Sequence, residues 1–300
     1  MAVIVERRSD HAARSRPTGT VTRMHATFLG VSTVLLSDGE TSVMTDGFFS
    51  RPPLLRSVLR PLRPDGAAVD RALARVGTER LAAVFVAHSH YDHALDSPIV
   101  AQRTGAELVG SPSTRRVAEG YGFAPDRFRT IEVRTPLRYG AFEVTALPAA
   151  HSPRAKFPGT IDHAVHPPAS IREYAQGDCF SFHFAHPDGR ILVHASANFV
   201  PGALDGYDVD TVYLGIGTLG KQSDEFRHDY WDALVTRTGA RRVIPIHWDN
   251  FWKPLDRPLT PLPRFADNFR RSLRFLTEKG LADGVDVQLP VAWERVDPLA

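Results

Sequence analysis

The chain has 300 residues, 43% of them hydrophobic and 23% charged, with a formal net charge of +2. That composition is too apolar for a disordered chain and ordinary for a globular one. Its longest apolar run, Leu81 to Ala87, is far short of the ~20 residues a membrane-spanning helix needs, and a lone cysteine, Cys179, excludes both an internal disulfide and a four-thiolate metal site. The positive charge is local. Arg7, Arg8, Arg14, Arg16 and Arg23 face only Glu6 and Asp10 ahead of Met24, and account for more than the whole net charge. The remainder is close to neutral and gives little steering toward nucleic acid. No apolar stretch follows Arg7-Arg8, so no export signal is read and a cytoplasmic protein is expected.

Residues 1–23 read as a disordered basic tail and 24–300 as a single domain. His25 to Ser37 is rich in β-branched and aromatic residues, turns at Asp38-Gly39 and resumes from Thr41 to Thr45 as a hairpin. Phe48 to Asp70 mixes prolines and arginines with leucines and valines and reads as a long, irregular functional loop. Leu81 to Ala87 is a strand buried on both faces. Helices are expected over 97–104 and 112–120, and strands over 107–109, 131–133 and 141–147. Residues 152–177 form a loop rich in proline, histidine and glycine.

The second half has the same style. Strands at 179–184 and 191–195 flank the turn Pro187-Asp188-Gly189, and further strands fall at 209–214, 241–246 and 285–289. Tyr230 to Thr238 is helical, and Pro263 to Gly280 is an amphipathic helix carrying Phe265, Phe269, Leu273 and Leu276, stopped by Gly280. Each half thus runs from a hairpin through strands to helices. An α/β fold, a four-layer αββα sandwich with one core between the halves, is the most economical assembly.

The chemistry is concentrated in His88-Ser89-His90-Tyr91-Asp92-His93, directly after the apolar strand. Three imidazoles and a carboxylate in six residues are too costly to bury without partners, but at a strand end they project into a cleft. Histidines two apart in extended chain point the same way, so His88 and His90 form a clamp, and a turn after Tyr91 aims Asp92 and His93 at a second point nearby. Imidazole and carboxylate suit zinc, and iron or manganese with less preference.

This pattern resembles the signature of the metallo-β-lactamase fold superfamily. The longer string from His90 to Asp96 is closer to its lactonase-like and phospholipase-D-like branch of metal-dependent hydrolases. Thr45-Asp46-Gly47 is similar to an early family turn, with glycine in place of proline. The resemblance implies that His88, His90 and His151 bind one metal and that Asp92, His93 and His247 bind a second. Each of these residues follows an apolar strand and so can reach one rim. The family's bridging aspartate is missing. Ala195-Ser196-Ala197-Asn198 stands in its place, so Ser196, or Ala197 after a one-residue slip, occupies the bridging position. Losing that anion weakens the second site most, so one tight Zn2+ and a weak, absent or different second metal are expected.

The leading reading is a hydrolase in which the metal generates hydroxide at neutral pH for attack on a lactone, ester or phosphodiester of a small molecule. Asp92 would orient the nucleophile or shuttle its proton. A non-haem iron redox or sensor protein and a non-catalytic binding member are the alternatives. No nucleic acid partner and no membrane span are expected, and a homo-oligomer is left open. His163 and His166 read as solvated loop residues or, less favoured, as part of a lid near the metal, His183, His186, His194 and His228 as surface or hairpin residues, and Cys179 as a small buried hydrophobe. The segment Trp248 to Trp252 either lines the cleft or packs as an aromatic cluster.

Overall fold

The computed structural model describes residues 23–78 and 80–300; the expected tail over 1–22 lies outside them. In chain order the elements are β1 (His25–Phe28), β2 (Val34–Ser37), β3 (Ser42–Thr45), α1 (Leu54–Leu59), α2 (Gly66–Val76), β4 (Leu81–Phe85), α3 (Tyr91–Ala94), α4 (Ser97–Thr104), β5 (Glu107–Gly110), α5 (Pro112–Gly120), β6 (Phe128–Thr130), β7 (Pro136–Tyr139) and β8 (Phe142–Ala149). They continue with β9 (Cys179–His186), β10 (Gly189–His194), β11 (Thr211–Gly215), α6 (Asp224–Trp231), β12 (Arg242–Ile246), α7 (Phe269–Asp283), β13 (Asp286–Val287) and β14 (Arg295–Val296).

Two seven-stranded sheets result, ordered β14-β1-β2-β3-β4-β5-β6 and β13-β12-β11-β10-β9-β8-β7. Three apolar layers hold them together. Phe28, Val43 and Phe85 meet Phe182, Phe184 and Ile244 between the sheets. Leu35, Val84 and Leu108 pack outward against Val69, Val100 and Val117 of the helices on one side. Val212 and Leu214 pack against Trp231, Leu234 and Leu276 on the other. This is the αββα sandwich. Strands β3 to β6 run parallel to one another, as do β10 to β13, so in each sheet several carboxyl ends share an edge, where open α/β sheets place their ligands.

Several expectations are corrected. Residues 48–70 are not an irregular loop throughout: α1 and the first turn of α2 lie there, the latter capped by the Asp65 side chain on the Ala68 amide. No strand forms over 131–133; β6 lies three residues earlier. The last long helix starts at Phe269, six residues later than periodicity suggests, because the chain turns over 264–266 and Phe265 is solvent-exposed. Gly280 does not stop that helix. It lies inside α7 where a Cβ would meet Val287, and the left-handed Gly284 is the cap. The helix expected at 230–238 begins at Asp224 and loosens into a π-helical turn over 232–236. A strand beyond those expected, β14, returns to pair with β1.

Gly120, the last residue of α5, touches the 152–177 segment so closely that a Cβ would lie 1.9 Å from the Val165 carbonyl oxygen. Backbone cannot yield there as a flexible side chain could. Gly120→Ala is expected to lower stability by about 1–3 kcal/mol, the usual range for overpacking, read as a lower urea midpoint at unchanged slope.

Candidate metal centre

Six of the seven residues singled out from sequence meet at one rim. His88, His90 and His151 form one group and Asp92, His93 and His247 a second, the potential ligand atoms in each lying within 4.8 Å of one another. His88 and His90 follow β4, His151 follows β8 and His247 follows β12, whereas Asp92 and His93 sit on the single turn of α3.

The ring orientations are set from behind. Asp46, buried at the end of β3, accepts from His93 Nδ1 at 2.9 Å, from Ser32 Oγ at 2.5 Å and from the Ala87 amide at 2.8 Å. That fixes the proton of His93 on Nδ1 and turns Nε2 toward Asp92 (3.6 Å) and His247 Nε2 (3.3 Å), the arrangement by which a carboxylate orients a metal-binding imidazole. His90 Nε2 faces the Phe157 carbonyl at 3.4 Å, leaving Nδ1 on His88 Nε2 at 3.1 Å. His151 Nδ1 faces the Ser152 carbonyl at 3.0 Å, which frees its Nε2. Burial holds the His88 imidazole well below its ordinary pKa, with the neighbouring imidazoles adding to the effect, and takes His151 down to about 4. Both are therefore neutral donors near pH 7. Asp92 is held below the usual carboxylate range by His93 and His247 despite its burial. Neutral imidazoles with converging lone pairs beside an ionised carboxylate are the donor set a divalent zinc-type ion takes.

Ser196 is placed differently. It lies two residues beyond β10, and its carbonyl accepts from Asn198 N and Tyr230 Oη; it is in neither ligand group. Asn198 does more. Its side-chain amide donates to the His151 carbonyl at 2.8 Å, and its own carbonyl lies 2.7 Å from His194 Nε2. Ser152 Oγ ties the same loop by accepting from the Ala197 amide. The loop that lacks the acid thus holds the His151 backbone.

His183 and His194 lie on the β9–β10 hairpin, as the second of the two expected placements has it, but are buried there. His194 is 1% exposed, its Nδ1 2.6 Å from Ser181 Oγ, and His183 is buried against the Asp208 carbonyl. The His186 side chain is also buried, beside Asp38. His163 is exposed and pairs with Asp162. Cys179 is half-buried, and burial pushes its thiol up to about 12, which removes it as a nucleophile at neutral pH.

Sequence reasoning gave no role to Arg51 and Asp249. Both side chains are almost wholly buried, with Arg51 Nη2 2.5 Å from Asp249 Oδ2. Arg51 also donates to the carbonyls of Lys253 and Asn250, and Asp249 accepts from the Val31 amide. The Val31 carbonyl in turn accepts from the His247 amide at 2.6 Å. Backbone strain gathers here: Val31, Asp46, Arg51, Thr218 and His247 all have positive φ, a conformation that costs non-glycine residues about 1–3 kcal/mol and concentrates at functional sites. Trp248 is buried, and Phe251 packs edge-on to His247 at 5.8 Å, so that segment does both things expected of it.

With this geometry, the comparisons with known proteins agree. The family model described as a beta-lactamase superfamily domain matches residues 43–248, and the chain belongs to that family. A protein of Heliobacterium modesticaldum named UPF0173 metal-dependent hydrolase is 33% identical over 88 residues, which is 29% of this chain and 30% of that one; the match spans under a third of either. The structure of Igni18, a metallo hydrolase from Ignicoccus hospitalis, superposes with a TM-score of 0.58 at 15% identity, over 91% of this chain and 97% of that one. CmlA, a diiron beta-hydroxylase from Streptomyces venezuelae, superposes at 0.54 and 15% identity over 92% of this chain and 54% of its own.

Two outcomes are expected. Asp249→Asn leaves the buried Arg51 charge unpaired and should cost about 3–5 kcal/mol in chemical denaturation. His194 is held near 4, below its ordinary 6.5, by burial, so the unfolded chain takes up the extra proton between those values. Its contribution is complete above about pH 6.5 and is lost as pH falls toward 4. The urea midpoint of the wild type should therefore drop more steeply over that window than that of His194→Gln.

Proposed function

We propose that the chain is a metal-dependent hydrolase, working as one domain over 24–300, whose substrate is a small molecule with a lactone, ester or phosphodiester bond. The observation that carries this is the pair of donor groups with their ring orientations fixed from behind, His93 by Asp46 and His90 by the Phe157 carbonyl. His88, His90 and His151 would hold the tight metal, with zinc the best match to three neutral imidazoles. Asp92, His93 and His247 would hold the weaker one, because Ser196 supplies no anion between the two groups.

A divalent metal held there would supply an acidified water and polarise the oxygen of the bond to be cleaved. The protein's share is positional and protonic. Asp92, ionised at working pH and 3.4 Å from His247 Nε2, accepts a hydrogen bond from the attacking water and takes its proton. His247 and His93 fix where that carboxylate points. Phe251 and Trp252 wall the rim next to His247 and Tyr91.

Metal content per chain, measured by mass spectrometry on protein purified without added metal, tests this. Near one zinc is expected, lost in His88→Ala and kept in His247→Ala and Asp92→Asn. Asp92→Asn should lower hydrolysis of lactone, ester or phosphodiester probes about 10²–10⁴-fold, the usual share of a general base. Two equivalents of zinc would overturn the one-strong-site reading. Iron with visible absorption bands would overturn the hydrolase in favour of redox chemistry, and no metal even after reconstitution would leave a binding protein.

A further inference from the structure

One surface beside the rim is both apolar and unneutralised. On α1, Leu55, Val58 and Leu59 are 71%, 63% and 68% exposed, three large aliphatic side chains within five residues of a helix whose buried contact is Ser57. Scattered exposed leucines need no explanation, but a contiguous group does. Arg56, Arg60 and Arg63 are interleaved with them and exposed. Among the described residues, none of these three arginines pairs with a carboxylate, although many of the chain's other arginines do.

The patch continues across the rim. Arg51 Nε donates to the Lys253 carbonyl at 2.7 Å, joining the base of α1 to the 250–265 segment. There Phe265 is 67% exposed and stacks on Trp252, whose Nε1 donates to Tyr91 Oη at 3.0 Å. Lys253, Arg257 and Arg264 are exposed around it and likewise make no ion pair among the described residues. Over 54–64 and 253–265 the sequence holds six basic residues, all exposed, and a single acid, Asp256. A chain otherwise close to charge balance has concentrated cations and apolar side chains around the mouth of its candidate metal centre.

We propose that this face docks on an anionic lipid surface, with Leu55, Val58, Leu59 and Phe265 entering the headgroup boundary and the surrounding arginines meeting lipid phosphates. Charge selects the occupant: a second copy would bring the same unpaired cations against these, whereas an anionic bilayer neutralises them while accepting the aliphatic side chains. A short helix with apolar and basic residues mixed is the composition of an interfacial element, and each basic residue near such a surface contributes roughly a fivefold gain in partition at low salt. Docked this way, the rim faces the lipid. The inference does not depend on the hydrolase reading, because its readout is binding.

The experiment is co-sedimentation of the full chain with vesicles of phosphatidylcholine alone and with 30% phosphatidylglycerol, at low and at 0.5 M salt. The variants are L55S/V58S/L59S and R56A/R60A/R63A, both confined to exposed side chains and checked for folding by circular dichroism. Binding is expected only to the anionic vesicles, weakened by salt, reduced at least tenfold by the aliphatic triple and about a hundredfold by the arginine triple. Absence of binding by the wild type would overturn the proposal. So would binding that both variants retain in full, which would assign it to the arginines ahead of Met24. A wild type that sediments as a dimer, is made monomeric by L55S/V58S/L59S and ignores vesicles would give the surface to a second copy.

Discussion

Behind the histidines, a guanidinium and a carboxylate are closed off from water together. Arg51 comes from the segment after β3 and Asp249 from the one after β12, so this one ion pair joins the carboxyl edges of the two sheets. Neither charge tolerates burial alone. Each partner also holds backbone: Asp249 takes the Val31 amide, Val31 takes the His247 amide, and Arg51 takes two carbonyls beyond it. The place of His247 relative to His93 is therefore set by a connection that crosses the sandwich, whereas His88, His90, Asp92 and His93 share one stretch of chain after β4, with His93 held by Asp46 and His90 by the Phe157 carbonyl.

Strain at the rim follows from the same constraint. Two sheets can bring six donors to one place only if several strands turn sharply at their ends, and five such turns use left-handed backbone at residues that are not glycine. The network of Asp46, Ser32 and Thr45, with the Thr45 hydroxyl on the Ser32 carbonyl at 2.5 Å, is what holds one of these turns. Stability invested there becomes fixed orientation of the donor atoms.

The core of the fold was legible because its signals are local. The run Leu81–Ala87 with its histidines, the turn at Asp38-Gly39, and helices 97–104 and 112–120 all announce themselves by periodicity and caps. The residues of the two candidate donor groups were legible by a different route, as spaced motifs following strands and matched to a family resemblance. What escaped depends on distant partners. Nothing near Arg51 in sequence distinguishes it from Arg56, yet one is buried against a carboxylate 198 residues away and the other is in solvent. The burial of His194 on its hairpin was not legible, because Ser181 becomes its neighbour only once β9 and β10 pair. Phe265 kept the helical spacing of Phe269 but belongs to a turn, so spacing alone assigned it a buried face it does not have.

The left-handed backbone of His247, with φ of 57°, limits what evolution could do at that position. Asparagine and aspartate enter this region of backbone space several-fold more readily than most side chains, as histidine does, while branched residues are strongly disfavoured. Among metal-binding side chains, aspartate is therefore the cheapest exchange for this histidine, while cysteine and glutamate carry a larger conformational cost. A lineage drifting from here toward a harder, oxygen-rich centre meets little resistance at this corner, and one drifting toward thiolate meets more.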